Sequence, residues 1–560
     1  MELPPVFRPV ALVASALALI CSRANAAEGS PLELPKYTVT TERELPPQET
    51  WYYTRIAGQE VLSSASRRRT EEMARDITER LHALDLTGTA LVPKPRVPPR
   101  ILITGRSEQF LNLAPHALES GETDPESASL GGPESPILVI NAAARSLDVT
   151  TTTRDPEEEP GTAEASTPAT READATRRLQ TGYFRTVLAQ PRPPLPPWFV
   201  EGLAQILAWA RITESSVTLG FVEDPNKRGA IGGIDREPGH RTLGNVRHES
   251  TAVRDSLADD LDFNAALAHS ALFSMPELFS SDLHTFPGTA RAAQLVRWQK
   301  QCHAFVHWGL FGDYGRNEKQ FLAFMKRLQA EPLTEHLFQE CFGMNYAGGL
   351  ATLRNHIEMT RVKVVGVKAD PGQKLPPAPS VEVREATPLE VARLKSIAYT
   401  AGGQPEKARE ELVLAYRRGE RDPLLFAELG LAELAAGDTG RARKFLEAAA
   451  AGKAVNPRAH VELARLRLAE AQAKPEAGSK LSSTQVARVI EPLRLARSQP
   501  PPLPETYALL GDAWTASSIP PPTAHLELLQ EGLRLFPHDA GLRARFESLA
   551  AAQPPAPAAK

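Results

Sequence analysis

The sequence predicts an α+β, mostly helical chain, in which a mixed domain over residues 51–365 is followed by a helical array over 387–550. Three observations carry this. Apolar residues recur at helical spacing through most of the chain, as at Met73, Ile77, Leu81 and Leu84. Two short β-branched runs, Arg100-Ile101-Leu102-Ile103-Thr104 and Pro136-Ile137-Leu138-Val139-Ile140, interrupt that pattern early and read as strands. From Thr387 onward the chain is rich in Ala and Leu, and it repeats at a fixed offset of 34 residues.

Its 560 residues suit two or three domains. Residues 1–26 have the layout of a signal peptide. Arg8 is the positive start, Val10 to Cys21 is an apolar run, and Ala24-Asn25-Ala26 offers small residues before a cut near Ala26. The run is too short to span a bilayer as a helix, and no later segment is apolar enough to do so. The expected mature chain is exported, to a periplasm or to the outside, with no transmembrane segment. A net charge of -4 without a concentrated basic face excludes a nucleic-acid surface. Cleavage leaves two cysteines, Cys302 and Cys341. In an oxidising compartment they are candidates for a disulfide, and two buried free thiols are the other reading.

Residues 27–50 are polar and contain proline, as a linker does. Thr70–Leu84 is a helix, 120–135 a loop, and 150–174, with few large apolar residues, a mobile insertion. Helices follow at 177–190 and 198–212, joined by a proline-rich turn. After an irregular stretch over 220–255, helices are expected at 298–310, 318–328, 334–342 and 346–359. Four prolines make 366–386 a second linker, and 551–560 is a Pro/Ala-rich tail.

In the repeating part, Gly403, Ala408, Leu412, Ala415 and Pro423 recur at Gly437, Ala442, Leu446, Ala449 and Pro457. This period and pattern resemble the tetratricopeptide repeat. Two antiparallel helices pack closely where residues are small (Gly430, Ala442, Ala449), and large ones (Phe426, Leu429, Leu446) fill the space between. Gly437 is expected to end the first helix of its pair and Pro457 to stop the second. A third repeat from Arg458 carries an insertion around 473–485, and a fourth, 506–537, has a proline-rich turn. The resemblance implies a helical solenoid whose groove takes a protein or peptide partner. A purely structural extension is the alternative.

In the middle domain, Leu195-Pro196-Pro197-Trp198-Phe199-Val200-Glu201-Gly202-Leu203-Ala204 is similar to the segment carrying the third zinc ligand in gluzincin, peptidase-MA-like metallopeptidases. The resemblance puts that ligand at Glu201. It also asks for a His-Glu-x-x-His helix upstream, whose histidines bind zinc and whose glutamate activates water. The helix in that place reads Arg177-Arg178-Leu179-Gln180-Thr181-Gly182-Tyr183-Phe184-Arg185, with no histidine or glutamate. A degenerate domain without catalytic residues or cofactor is therefore expected, with Glu201 left to cap or pair at its helix start. The chain then reads as an exported scaffold that binds protein.

The alternative is a zinc-dependent hydrolase with a displaced site, for which the candidates are Glu201, His303 and His307. The two histidines are spaced i, i+4 on a helix and can share a metal, although no third ligand or base is evident nearby. Arg247-His248-Glu249-Ser250-Thr251-Ala252 starts like a zinc helix but has Ala252 where a histidine belongs. Gly309-Leu310-Phe311-Gly312-Asp313-Tyr314-Gly315 follows no strand and reads as a helix end and turn.

Overall fold

The structure, a computed structural model, describes residues 34–35 and 49–551, without 89–90, 92–93, 96, 121–124, 133–134, 145–167, 191–193, 223–261, 268–269, 284, 287–290, 360–364 and 538. The expected signal peptide, most of the 27–50 linker, nearly all of the tail and the Arg247–Ala252 segment lie outside the described residues. The chain divides into two compact units, one of Thr41–Leu425 and one of Phe426–Lys560 together with Met1–Thr40. The division falls at Leu425, not in the expected 366–386 linker.

The larger unit opens with β1 (Tyr52–Ile56) and β2 (Gln59–Ser63), a hairpin turned at Ala57 and Gly58, both at positive φ. Helix α1 (Arg67–Leu86) starts at Ser66, whose side chain accepts from the Arg69 amide. Then come β3 (Arg100–Thr104), α2 (Ser107–Leu113), β4 (Ser127–Leu130) and β5 (Ile137–Asn141). Helices α3 (Pro168–Leu188) and α4 (Pro197–Ala208) lead to the pair β6 (Arg211–Thr213) and β7 (Ser216–Leu219). A helical block follows: α5 (Phe263–Leu267), α6 (Met275–Ser280), α7 (Arg291–Gly315), α8 (Glu318–Arg327), α9 (Glu335–Phe342) and α10 (Tyr346–Met359). The unit closes with β8 (Val365–Lys368), β9 (Arg384–Glu385), α11 (Pro388–Ala401) and α12 (Pro405–Arg417).

Several expectations are corrected. The 120–135 loop contains β4, and the 366–386 linker contributes β8 and β9. Helix α3 begins inside the expected 150–174 insertion. The turn expected from Gly309 lies within α7, which runs on to Gly315; the bare backbone of Gly309 admits the Phe321 ring.

Six strands form one sheet in the order β4-β5-β3-β2-β1-β9, with β2, β3 and β5 parallel and the others antiparallel. Both faces are covered. Ile101, Ile103, Leu138 and Ile140 point into a core shared with α1, α3, α4 and α7. Leu62, Leu102, Ile137 and Val139 point the other way, against Phe110 and Leu113 of α2 and Leu394 and Ala398 of α11. Burial on two faces is why the strands read as unbroken apolar runs rather than alternating ones. Helix α11, placed by its sequence pattern in the repeats, is part of this core. Its Arg393 pairs with the half-buried Glu60 of β2, which also bonds the Tyr53 hydroxyl and sits 3.6 Å from Arg100. These partners, above all Arg393, hold the Glu60 carboxyl below its usual range against the opposing effect of burial.

The smaller unit takes up α13 (Pro423–Ala435) from Phe426 on, and α14 (Thr439–Ala451), α15 (Pro457–Ala473), α16 (Ser483–Arg497), α17 (Pro504–Thr515), α18 (Thr523–Leu535) and α19 (Ala540–Ala551) follow in sequence. Phe426, Leu429, Ala442, Leu446 and Ala449 are buried. A Cβ on Gly430 would lie 2.6 Å from Leu446 Cγ, so the close approach expected there is present. Gly437 at φ +83° follows the end of α13. Pro457 does not stop a helix: it opens α15, in the first turn, where its missing N–H is not needed. The two places where the period is broken meet each other. Leu481, in the insertion, donates to Ala516 O at 2.9 Å and accepts from Ser518 N at 2.9 Å in the proline-rich turn.

Candidate functional site

Glu201 lies on α4, whose start is set by Pro197 and by Trp198. The Trp198 ring is fully buried among Phe199, Phe279, Phe305 and Phe324. This anchoring turns the Glu201 carboxylate toward α3, where its side chain is 2% exposed. Arg185 grips it bidentately, Nε donating to Oε2 at 2.6 Å and Nη2 to Oε1 at 2.7 Å. Gln205 Nε2 donates to Oε1 at 2.8 Å and to Gln299 O at 3.0 Å.

The rest of α3 is engaged in packing. Arg178 pairs with Glu126 at 2.8 Å. The Thr181 hydroxyl, one turn before Arg185, bonds back to Arg177 O at 2.9 Å. Gly182 lets β4 come close, since a Cβ there would lie 2.8 Å from Ser127 Oγ. Tyr183 is buried and takes a hydrogen bond from Gln59, and burial pushes its hydroxyl up to about 12. These residues do not fit zinc. Both Glu201 oxygens are taken by cationic or amide donors, and the helix facing it carries no imidazole.

A pocket of about 370 Å³ opens over the Arg185–Glu201 pair, between the C-terminal end of α3, the start of α4 and β4. In the antiparallel β4–β5 ladder, Asn141 N bonds Glu126 O, so alternate residues 126, 128 and 130 face β5. The N–H and C=O groups of Ser127 and Ser129 therefore point out of the sheet, and no residue among those described pairs with them. An edge of this kind is a template for another strand.

Gly202 explains the glycine after Glu201. A Cβ there would overlap the Cys302 carbonyl oxygen and lie 2.5 Å from Val306 Cγ2, so α4 and α7 touch backbone to backbone. Gly202→Ala is expected to cost about 1–3 kcal/mol or more, because backbone cannot yield as a side chain would. A lower urea midpoint with unchanged slope is the expected readout.

The expected Cys302–Cys341 disulfide is absent, and both thiols are free. Cys302 is buried on α7, and burial, with the Glu201 charge nearby, pushes its thiol well above the usual range. It is a packed neutral group and not a nucleophile.

His303 and His307, also on α7, are both 1% exposed. His307 Nε2 donates to Gly220 O at 3.1 Å, so its Nδ1 accepts from His356 Nε2 at 2.9 Å. His303 Nδ1 is 3.9 Å from Asp262 Oδ1 and finds no hydrogen-bond partner. Among the described residues, no three His, Cys, Asp or Glu side chains are grouped to hold a metal ion, so Glu201, His303 and His307 are not brought together as ligands.

Burial, with His307, Lys300 and His356 nearby, holds His303 well below its usual 6.5. Because its folded value is the lower one, the unfolded chain binds the proton more readily. Its contribution to stability is full above about pH 6.5 and is lost as pH falls from there toward the folded value. The urea midpoint of the larger unit, followed by tryptophan fluorescence, is expected to fall between about pH 7 and about pH 5, and less steeply in His303→Gln.

Among the described residues, no helix is long and apolar enough to cross a membrane. No protein-family model, curated protein or solved structure matches the chain.

Proposed function

We propose that the chain is an exported protein-binding scaffold. In this reading, the Thr41–Leu425 unit is a metallopeptidase-like domain that has lost its metal site and holds an extended polypeptide without cutting it. The helices from Pro423 onward are tetratricopeptide-type repeats offering a second surface for a protein partner.

One observation carries the first part. A guanidinium, Arg185, occupies both oxygens of Glu201 on the floor of a pocket beside a strand edge that is open among the described residues. A cation fixed by the fold neutralises the carboxylate, so no ligand set and no water-activating base is presented there. The main-chain groups of Ser127 and Ser129, unpaired among the described residues, suit the backbone of an extended chain. Support for the repeats comes from the 34-residue offset, the Gly430–Leu446 approach and Gly437 at positive φ.

The test is incubation of the full-length protein, with and without added zinc, with a library of blocked peptides, scored both for retention and for new termini. Retention without cleavage is expected. Cleavage that needs zinc would replace this reading with that of a hydrolase.

A further inference from the structure

We infer that the pocket beside β4 selects its occupant by one large, uncharged apolar side chain. This rests on the peptide-holding reading above and names the kind of segment held.

The apolar walls are Pro136, Leu195, Pro197, Val200 and Leu283, with Gln190 and Asp282 beside them. At the floor Arg185 is already paired with Glu201, and the Asp282 carboxylate also lines the pocket, so an incoming carboxylate would meet like charge and no unanswered cation there. An acidic side chain would leave water without a partner, whereas an apolar one exchanges water for apolar walls. At about 370 Å³ the pocket has room for a leucine or phenylalanine side chain and part of its backbone.

The strand edge sets which residue is read. Ser127 and Ser129 direct their side chains toward α3, the face on which the pocket lies: Ser129 Oγ is 2.6 Å from Thr186 Oγ1, and Ser127 Oγ faces Gly182. A strand added along β4 sends every second side chain to that same face. Selectivity therefore falls on one position, and the residues directly before and after it face the other side and are tolerated.

The probes are blocked, fluorescein-labelled heptapeptides Ser-Thr-Thr-X-Thr-Thr-Ser, titrated with the full chain by anisotropy. With X as Leu or Phe, binding is expected to be roughly tenfold or more tighter than with Ala. Glu at X is expected to abolish it, and Glu at a neighbouring position to change it little. Val200→Trp, which fills the pocket, is expected to erase the preference for Leu over Ala while leaving the thermal midpoint of the protein near that of the parent. Equal binding of the Leu, Ala and Glu peptides would overturn the pocket inference and leave peptide holding intact. No binding of any peptide would overturn both.

Discussion

Arg185→Ala is expected to destabilise the larger unit by about 3–5 kcal/mol, among the largest effects of any single side chain in it. The cause is what it leaves behind. Glu201 is 2% exposed and keeps one amide donor, Gln205, once the guanidinium is gone. A carboxylate stripped of its charge partner carries its full desolvation cost. Glu201→Gln should cost less, because Arg185 is 28% exposed and reaches water. The double replacement Arg185→Leu with Glu201→Leu should recover most of the loss, since apolar residues of similar size substitute well for a buried ion pair. Urea denaturation of the parent, Arg185→Leu, Glu201→Leu and the double replacement closes the cycle and gives the coupling directly. Additive losses would mean that the pair is not the interaction described.

The second large effect concerns α11. A chain truncated after Ala386 is expected not to fold, whereas one ending at Leu425 should keep the cooperative unfolding of the larger unit. Removing α11 uncovers Leu62, Leu102, Ile137 and Val139 on one face of the sheet and leaves Glu60 without Arg393. At about 1.5–3 kcal/mol for each large apolar side chain, the loss approaches the ~5–15 kcal/mol that holds a typical domain together. Circular dichroism and thermal denaturation of the two truncated chains distinguish the outcomes. A folded, cooperatively melting chain ending at Ala386 would show that α11 is dispensable to the sheet.

Local patterns were read well from the sequence, and pairings made at a distance were not. The strand at Arg100–Thr104, the helices on either side of the proline-rich turn and the close approach at Gly430 are written in local residue types. Strand β4 was hidden because Ser127, Ala128 and Ser129 have no β-branched or aromatic residue among them; its pairing with β5 makes it a strand. Strand β9, only Arg384 and Glu385, exists because β1 offers an edge. Helix α11 carries the helical pattern of the repeats, but the sheet face it covers lies hundreds of residues earlier, so its allegiance shows only in the fold. At the site, Glu201 was visible through its neighbours Trp198, Gly202 and Leu203. Its partner was not: Arg185 lies one helix away, and a guanidinium there has no sequence signature as a counter-ion.

The central claim is that a protein cation, not a metal, answers the Glu201 carboxylate. Zinc content of the purified full-length protein, measured by inductively coupled plasma mass spectrometry after equilibration with excess zinc and gel filtration, tests it most directly. No stoichiometric zinc is expected in the parent protein, and no difference in Glu201→Ala. One equivalent of zinc that disappears in Glu201→Ala would contradict it.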